Sequence, residues 1–444
     1  MLKYSGVKKS NEAYERAGQI IPGWTQLISR RASRFANGIS PTYAQSAKGS
    51  RFLDIDGNQY IDWVNACSAV ILGHADEVVD NAVKEQIDKG SLLTVNSLSE
   101  IELAEELIRT IPSAEMVRYT KGGGEACAVA VRIARGTTGR DKILFCGYHG
   151  WHDWYQSANY LVDPDTGEFP FAGIEPIGVP KVLAGTAIPF SYGDLEMLEK
   201  LFQENRGEVA AVMMEPLRSE LPNAEYLEGV KDISRRHGAL LIFDEVSCGW
   251  RMSLGGMQEY VGVTPDMTVV AKAMSNGYPM GAVVGSRESM EDAARMFVSS
   301  SYWSDILGIV ASITTIRELR RRNSVEGFKF IGERLTEVLN QVIKSVGISA
   351  RISGLHYHPT LSIDVPEKSL TGKVNTLFVQ EMAKRGIHTG MHFMATLAHT
   401  MEDIQITAEA VEGSLRVVRE GLEGRIDELL ECDIKQDPFK RLVK

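Results

Sequence analysis

The sequence contains no CxxC pair, and its five cysteines (Cys67, Cys127, Cys146, Cys248, Cys432) are scattered and odd in number. A disulfide framework is therefore not expected, and a reducing, cytoplasmic setting is the natural reading. No apolar run approaches membrane-spanning length, and residues 1 to 20 are polar and amphipathic without the apolar core of a secretory signal. The expectation is a soluble, intracellular chain that does not engage a membrane. Basic stripes are also missing. The formal charge is −10, which argues against nucleic-acid binding, and the short cluster Arg320-Arg321-Arg322 falls in a helical pattern and reads as a solvated face. Internal repeats and low-complexity tracts are absent. So are a dinucleotide fingerprint and a P-loop, which argues against a nucleotide-dependent dehydrogenase.

What remains is a composition of 44% apolar and 24% charged residues over 444 positions, enough for two or three packed domains. Residues 51 to 63, RFLDIDGNQYIDW, alternate about Asp56-Gly57 as a β-hairpin does. Short apolar strands are predicted at 115–120, 142–147, 209–216, 239–246, 267–273 and 281–286, with helices at 125–139, 194–205 and 225–238 between them. Near-continuous Val/Ile/Leu strands alternating with helices predict an α/β fold, its mostly parallel central sheet buried on both faces. Ligands of such sheets bind at the carboxyl ends of the strands. Long amphipathic helices at 311–345 and 403–430, around strands such as 358–365, predict a smaller α+β domain. The expected division is 1–85 joining the small domain, 86–310 as the large domain, and 311–444 as the C-terminal small domain. The Gly- and Pro-rich loop 155–190 has the length of a cover rather than a connector.

Three features fall at strand ends. KGGGEACAVAVRIAR (121–135) is a glycine-rich turn opening a helix, an anion cradle if its N–H groups are free and otherwise a tight turn. Asp244-Glu245 ends ALLIFDEV, where a carboxylate caps a helix, binds metal or faces a cation. Lys272 ends MTVVAKA. Its stem crosses the apolar layer to water, or a neighbour pairs with it, or an amine is required there. Cradle, acid and amine together are the requirements of pyridoxal 5′-phosphate (PLP). His149 with His152 suggests a metal only weakly, because no third ligand stands at useful spacing. Thr400 reads as a helix N-cap with Asp403 facing back in a capping box.

From FLDIDGNQYIDW and ILGH (71–74), through ARGTTGRDKILFCGYHGWHDW (134–154) and FDEVSCGWR (243–251), to PDMTVVAKAMSNGYPMGAVVG (265–285) and AHTMEDI (398–404), the chain resembles the class III, or ω-type, aminotransferases of PLP fold type I, a group that includes glutamate-1-semialdehyde aminomutases. The resemblance implies that Lys272 is the Schiff-base lysine and that Asp244 partners the pyridine nitrogen. Tyr148 of the YHG motif would stack on one ring face and Val246 pack the other. Gly123 and Gly124 would offer N–H groups to the phosphate. Ser301, in SSYWSD, matches a Thr or Ser that reaches the neighbouring subunit's phosphate, implying a homodimer with shared sites.

Two departures from the commoner family pattern stand out. Gly122-Gly123-Gly124 replaces a Ser-Gly-Thr turn, so the usual phosphate-binding hydroxyls are missing, and this version of the turn looks like a branch associated with amino sugars. Residues 386–399 hold no arginine for a substrate carboxylate, which leaves Arg30 and Arg218 as candidates beside their reading as surface arginines. The resemblance implies a ping-pong exchange between a donor amine and an oxo acceptor, with Lys272 moving the proton, on a sugar-derived or carboxylate-bearing substrate. A 2,1-aminomutase and a non-catalytic PLP-fold module are the rival readings.

Overall fold

The computed structural model describes residues 4–161, 171–172, 175–218, 220–436 and 440–441. The chain divides into two compact units, one formed by Met1–Glu77 with Glu326–Asp437, the other by Val78–Val325 with Pro438–Lys444. Much of the expected cover at 155–190, namely residues 162–170 and 173–174, lies outside the described residues. Among the described residues no helix is long and apolar enough to cross a membrane.

The larger unit is built on a seven-stranded sheet. In chain order its strands are β1 (Met116–Thr120), β2 (Lys142–Cys146), β3 (Ala187–Pro189), β4 (Val209–Met214), β5 (Leu240–Asp244), β6 (Met267–Ala271) and β7 (Gly281–Gly285). Their spatial order is β1-β7-β6-β5-β4-β2-β3. β7 runs antiparallel to both neighbours, and the remaining pairings are parallel. Both faces are covered, as the apolar strands predict. On β5, Ile242 joins the core that includes Ala130 and Ile133 of the helix Gly123–Thr138, whereas Leu241 and Phe243 join Leu198 and Phe202 of Leu195–Glu204 and Leu227 and Val230 of Ala224–Arg236. This alternation is the period of two that sends successive strand side chains to opposite faces.

The predicted helix over 311–345 is two helices, Ile306–Arg321 and Ser324–Val346. Asn323, at φ +49°, breaks them, since asparagine tolerates the left-handed region that ends helices. Ile306–Arg321 stays with the larger unit, burying Ile309, Ile313, Ile316 and Leu319, and Arg317 and Arg320 add ion pairs to the buried Glu106 of Leu98–Thr110 at 3.0 and 3.3 Å. The units therefore divide after Glu77 and Val325 rather than at the expected 85/86 and 310/311.

The smaller unit carries a four-stranded sheet (Ala44–Lys48, Arg51–Asp54, Gln59–Asp62, Ile387–His388) and a hairpin pairing Ala350–Leu355 with His358–Ile363. Trp63, Leu335, Phe378, Phe393 and Val411 lie in its core. The predicted capping box is present at the start of Met401–Glu420, where Thr400 Oγ1 accepts from Asp403 N–H at 3.2 Å and the Asp403 carboxylate accepts from Thr400 N–H at 3.0 Å. Asn65 to Ser68 form a left-handed turn with φ between +50° and +69°. Asp62 Oδ1 pins its start, accepting from Val64 and Asn65 N–H at 2.9 Å each.

Candidate active site

At the carboxyl ends of the central strands is a cavity of about 290 Å³. β5 and β6 run side by side with Asp244 opposite Val269, so Asp244 and Lys272 both stand at this edge, and both line the cavity. Lys272 follows β6 directly with φ +47°, a left-handed conformation costing about 1–2 kcal/mol in a residue with a Cβ. Strain of this kind collects where a side chain must be aimed. Its Nζ donates to Ser247 Oγ at 3.0 Å, so its amine ends beside the cavity wall among polar atoms.

Asp244 is 4% exposed. Its Oδ1 accepts from Val246 N–H at 3.0 Å, and its Oδ2 accepts from His149 Nδ1 at 2.8 Å and from the Cys127 thiol at 3.4 Å. With Nδ1 donating to the carboxylate, Nε2 is the ring nitrogen left over. That Nε2 is buried and finds no hydrogen-bond partner among the described residues. Burial pushes the Cys127 thiol well up, and the negative charge of Asp244 pushes it further. It therefore keeps its proton and acts as a donor. Cys127, His149 and Asp244 offer ligand atoms within 4.8 Å of one another. The fold thus supplies His149 with neighbours that its sequence spacing did not reveal, while His152 stays outside the group. Separations of 2.8 and 3.4 Å are those of hydrogen bonds with the protons still on imidazole and thiol, so the contacts need no ion to explain them.

The third side is the start of the helix Gly123–Thr138. Gly122 is its N-cap and no side chain caps it, which leaves first-turn N–H groups available to an anion. Glu125 turns back to take Lys121 N–H at 2.8 Å. A Cβ on Gly123 would lie 2.7 Å from Val246 Cγ1, and one on Gly150, at φ +97°, 2.7 Å from Gly124 Cα. Glycine at 123 and 150 is what lets Val246 and the Gly147–Gly150 loop close on the turn. Lys121, not singled out from the sequence, binds Asp305 Oδ2 at 3.0 Å and the Asp305 carbonyl at 3.2 Å. It ties the glycine turn to the SSYWSD block. The one visible signal was a lysine directly before the glycines.

Tyr148 lines the cavity, the residue 39% exposed and its ring perpendicular to that of Tyr155, and Glu215 Oε2 accepts from its backbone N–H at 3.1 Å. Gly123, Gly124 and Val246 share the same wall. The structure thus brings together Lys272, Asp244, Tyr148, Val246, Gly123 and Gly124. It does not place Ser301 or Arg218 on this cavity. Ser301 is exposed in a turn, and Arg218 lies 4.0 Å from Glu215. Arg30 lines a cavity of about 550 Å³ within the smaller unit, beside Trp24, Phe35, Asp62, Cys67 and His74.

The model of the class-III aminotransferases matches residues 35–417. A 3-aminobutyryl-CoA aminotransferase of Cloacimonas acidaminovorans is 32% identical, the match covering 93% of this chain and 98% of that protein. A glutamate-1-semialdehyde 2,1-aminomutase of Desulforamulus reducens is 35% identical, covering 92% and 98%. Among solved structures, an ω-transaminase of Sphaerobacter thermophilus superposes with a TM-score of 0.81 at 26% identity, covering 92% of this chain and 98% of the other. The fold is that of PLP fold type I. The cavity suits that cofactor on its own chemistry: an amine, a buried carboxylate still able to accept on Oδ1, and an uncapped helix start opened by glycines.

Proposed function

This chain belongs to the class-III aminotransferases, and from that membership we propose that Lys272, Asp244 and Tyr148 carry out its PLP-dependent transamination at the cavity of the larger unit. PLP supplies a carbonyl carbon for amines and a protonated ring that accepts electron density from the substrate carbon. Lys272 would hold the cofactor between turnovers and, once released by the donor amine, would take the proton from the substrate carbon and deliver it to the cofactor's C4′, on the far side of the shared nitrogen. The same lysine runs these transfers in reverse for the oxo acceptor. Asp244 would pair with the protonated ring nitrogen, and Tyr148 and Val246, which line the same cavity, would hold the ring between them. Gly123 and Gly124 offer backbone N–H groups to the phosphate in place of missing hydroxyls.

The observation that carries this reading is one cavity wall shared by Lys272, Asp244 and the uncapped glycine turn. Borohydride treatment of the holoenzyme should fix the cofactor covalently to the peptide containing Lys272. Labelling elsewhere, or none, would overturn the assignment.

Ser301 is assigned to the phosphate of the partner in a homodimer with shared sites. Support comes from the exposed aromatic side chains beside it, Phe297 at 86% and Tyr302 at 67%, residue types that pack well at subunit interfaces. Sedimentation of the wild type against Ser301→Trp measures this: a monomeric wild type would remove the shared site. The free cysteines suit a cytoplasmic enzyme without nucleic-acid or membrane partners. Arg30, on an aromatic-walled cavity, is preferred to Arg218 for binding a sugar-derived or carboxylate-bearing substrate, since Arg218 already faces Glu215. The identity shared with an aminomutase keeps a 2,1-aminomutase as the second reading, and turnover without any added acceptor would establish it.

A further inference from the structure

The roles assigned above leave the Cys127 thiol unused, although it is 1% exposed and its Sγ lies 3.4 Å from Asp244 Oδ2 on the cavity wall. Oδ2 already accepts from His149 Nδ1 at 2.8 Å. Each carboxylate oxygen has about two acceptor sites, so the two donors fill Oδ2. Oδ1, with the single Val246 N–H at 3.0 Å, keeps the remaining capacity. Hydrogen bonds to the charged form of an acid favour that form. A carboxylate with one oxygen saturated in this way attracts a further proton less strongly, and a proton it shares with a ring nitrogen stays on the nitrogen.

We propose that Cys127 is a positioning residue which, with His149, holds Asp244 as a carboxylate aimed through Oδ1 at the cofactor's ring nitrogen, an inference that rests on the role given to Asp244 above. The thiol donates its hydrogen bond and keeps its proton, so no bond is made or broken. The charged or titratable groups that bear on it are Asp244 and Glu215, with His149 on the same carboxylate oxygen. Both carboxylates oppose a thiolate, and burial opposes it more. Cysteine suits the place because it packs as a small apolar residue among Ala126, Ala130 and Val131 while still offering a weak donor.

The test uses holoenzyme carrying PLP labelled with ¹⁵N in the ring, in the wild type, Cys127→Ala, Cys127→Ser and Asp244→Asn. Cys127→Ala should move the ¹⁵N resonance toward that of neutral pyridine and raise the Kd for PLP about three- to tenfold, the effect of one modest hydrogen bond. Cys127→Ser, a stronger donor of nearly the same size, should move it the other way. Either a Cys127→Ala resonance at the wild-type position, or both variants displaced to the same side, overturns the proposal. Should Cys127→Ala fail to fold, an unmoved Cys127→Ser resonance overturns it. Asp244→Asn separates the levels: if it shifts the resonance while the cysteine variants do not, only the thiol's role falls, and if it does not, the role of Asp244 falls as well.

Discussion

Asp62 in the smaller unit and Asp244 in the larger are two versions of one local arrangement. Each ends a strand, each is nearly buried at 5% and 4% exposure, and each accepts from a histidine at 2.8 Å. Both also line cavities. The difference lies in what else reaches them. Asp62 Oδ1 takes two backbone N–H groups and fixes the left-handed turn Asn65–Ser68, which would cost about 1–2 kcal/mol per residue if nothing held it. Burial pushes the Asp62 carboxyl up, but hydrogen bonds from His74 and Asn65, with the field of His388, bring it below the usual range. Asp244 Oδ1 takes one N–H and shares its cavity with an amine and an uncapped helix start. A buried strand-end carboxylate therefore does not mark a candidate reaction centre by itself, since both aspartates accept three hydrogen bonds; what differs is the amine and the uncapped helix start that share the cavity of Asp244.

Substitutions sharpen this contrast. Lys272→Ala has no counterpart near Asp62 and should have the largest effect, slowing the single-turnover half-reaction by about 10³-fold or more and abolishing borohydride labelling. Next, Asp244→Ala should slow the same half-reaction by about 10²-fold and weaken PLP binding, and it should also cost about 1–3 kcal/mol in urea unfolding of the cofactor-free protein because His149, Cys127 and the Val246 N–H lose their acceptor. Near-normal single-turnover rates would contradict its role. Asp62→Ala should also destabilise, costing about 2–4 kcal/mol in urea unfolding, but Lys272 should remain labelled and the half-reaction should keep its rate. Equal effects of the two aspartate substitutions on labelling and on the half-reaction would erase the distinction.

The smallest effect concerns His399, which stacks on Trp63 at 3.9 Å between centroids. Burial lowers its pKa from 6.5 to about 4, against the opposing charges of Asp403 and Asp62. The unfolded chain binds this proton and the folded one does not, so the contribution is fully present above pH 6.5 and is lost as pH falls toward 4. His399→Phe keeps the stack, and it should flatten the pH dependence of the unfolding midpoint across that window. An unchanged slope would assign acid sensitivity elsewhere.

Much of the site could be read in advance because its parts sit at strand ends, where apolar runs stop at a charge. Asp244, Lys272 and the glycine turn are of this kind, and Thr400 with Asp403 was legible because capping is local. Contacts between residues far apart in sequence were not. Cys127 meets Asp244 across 117 positions, and Lys121 meets Asp305 across 184. No periodicity encodes either pairing, which arises only when the sheet brings their elements together. The break at Asn323 carried a signal, an asparagine inside an amphipathic pattern, but the continuing apolar face hid it. The unit boundary differs for a related reason: Ile306–Arg321 buries its apolar face, and sets its ion pairs to Glu106, among elements distant in sequence.

Because β7 returns antiparallel beside β6, the segment 272–280 is the closed end of a hairpin rather than a long crossover, and Tyr278 clamps it further through Asp80 at 2.9 Å. For anyone re-engineering this enzyme, lengthening the segment would move the Lys272 amine from its place on the cavity wall. New specificity is better sought by grafting elsewhere along the chain.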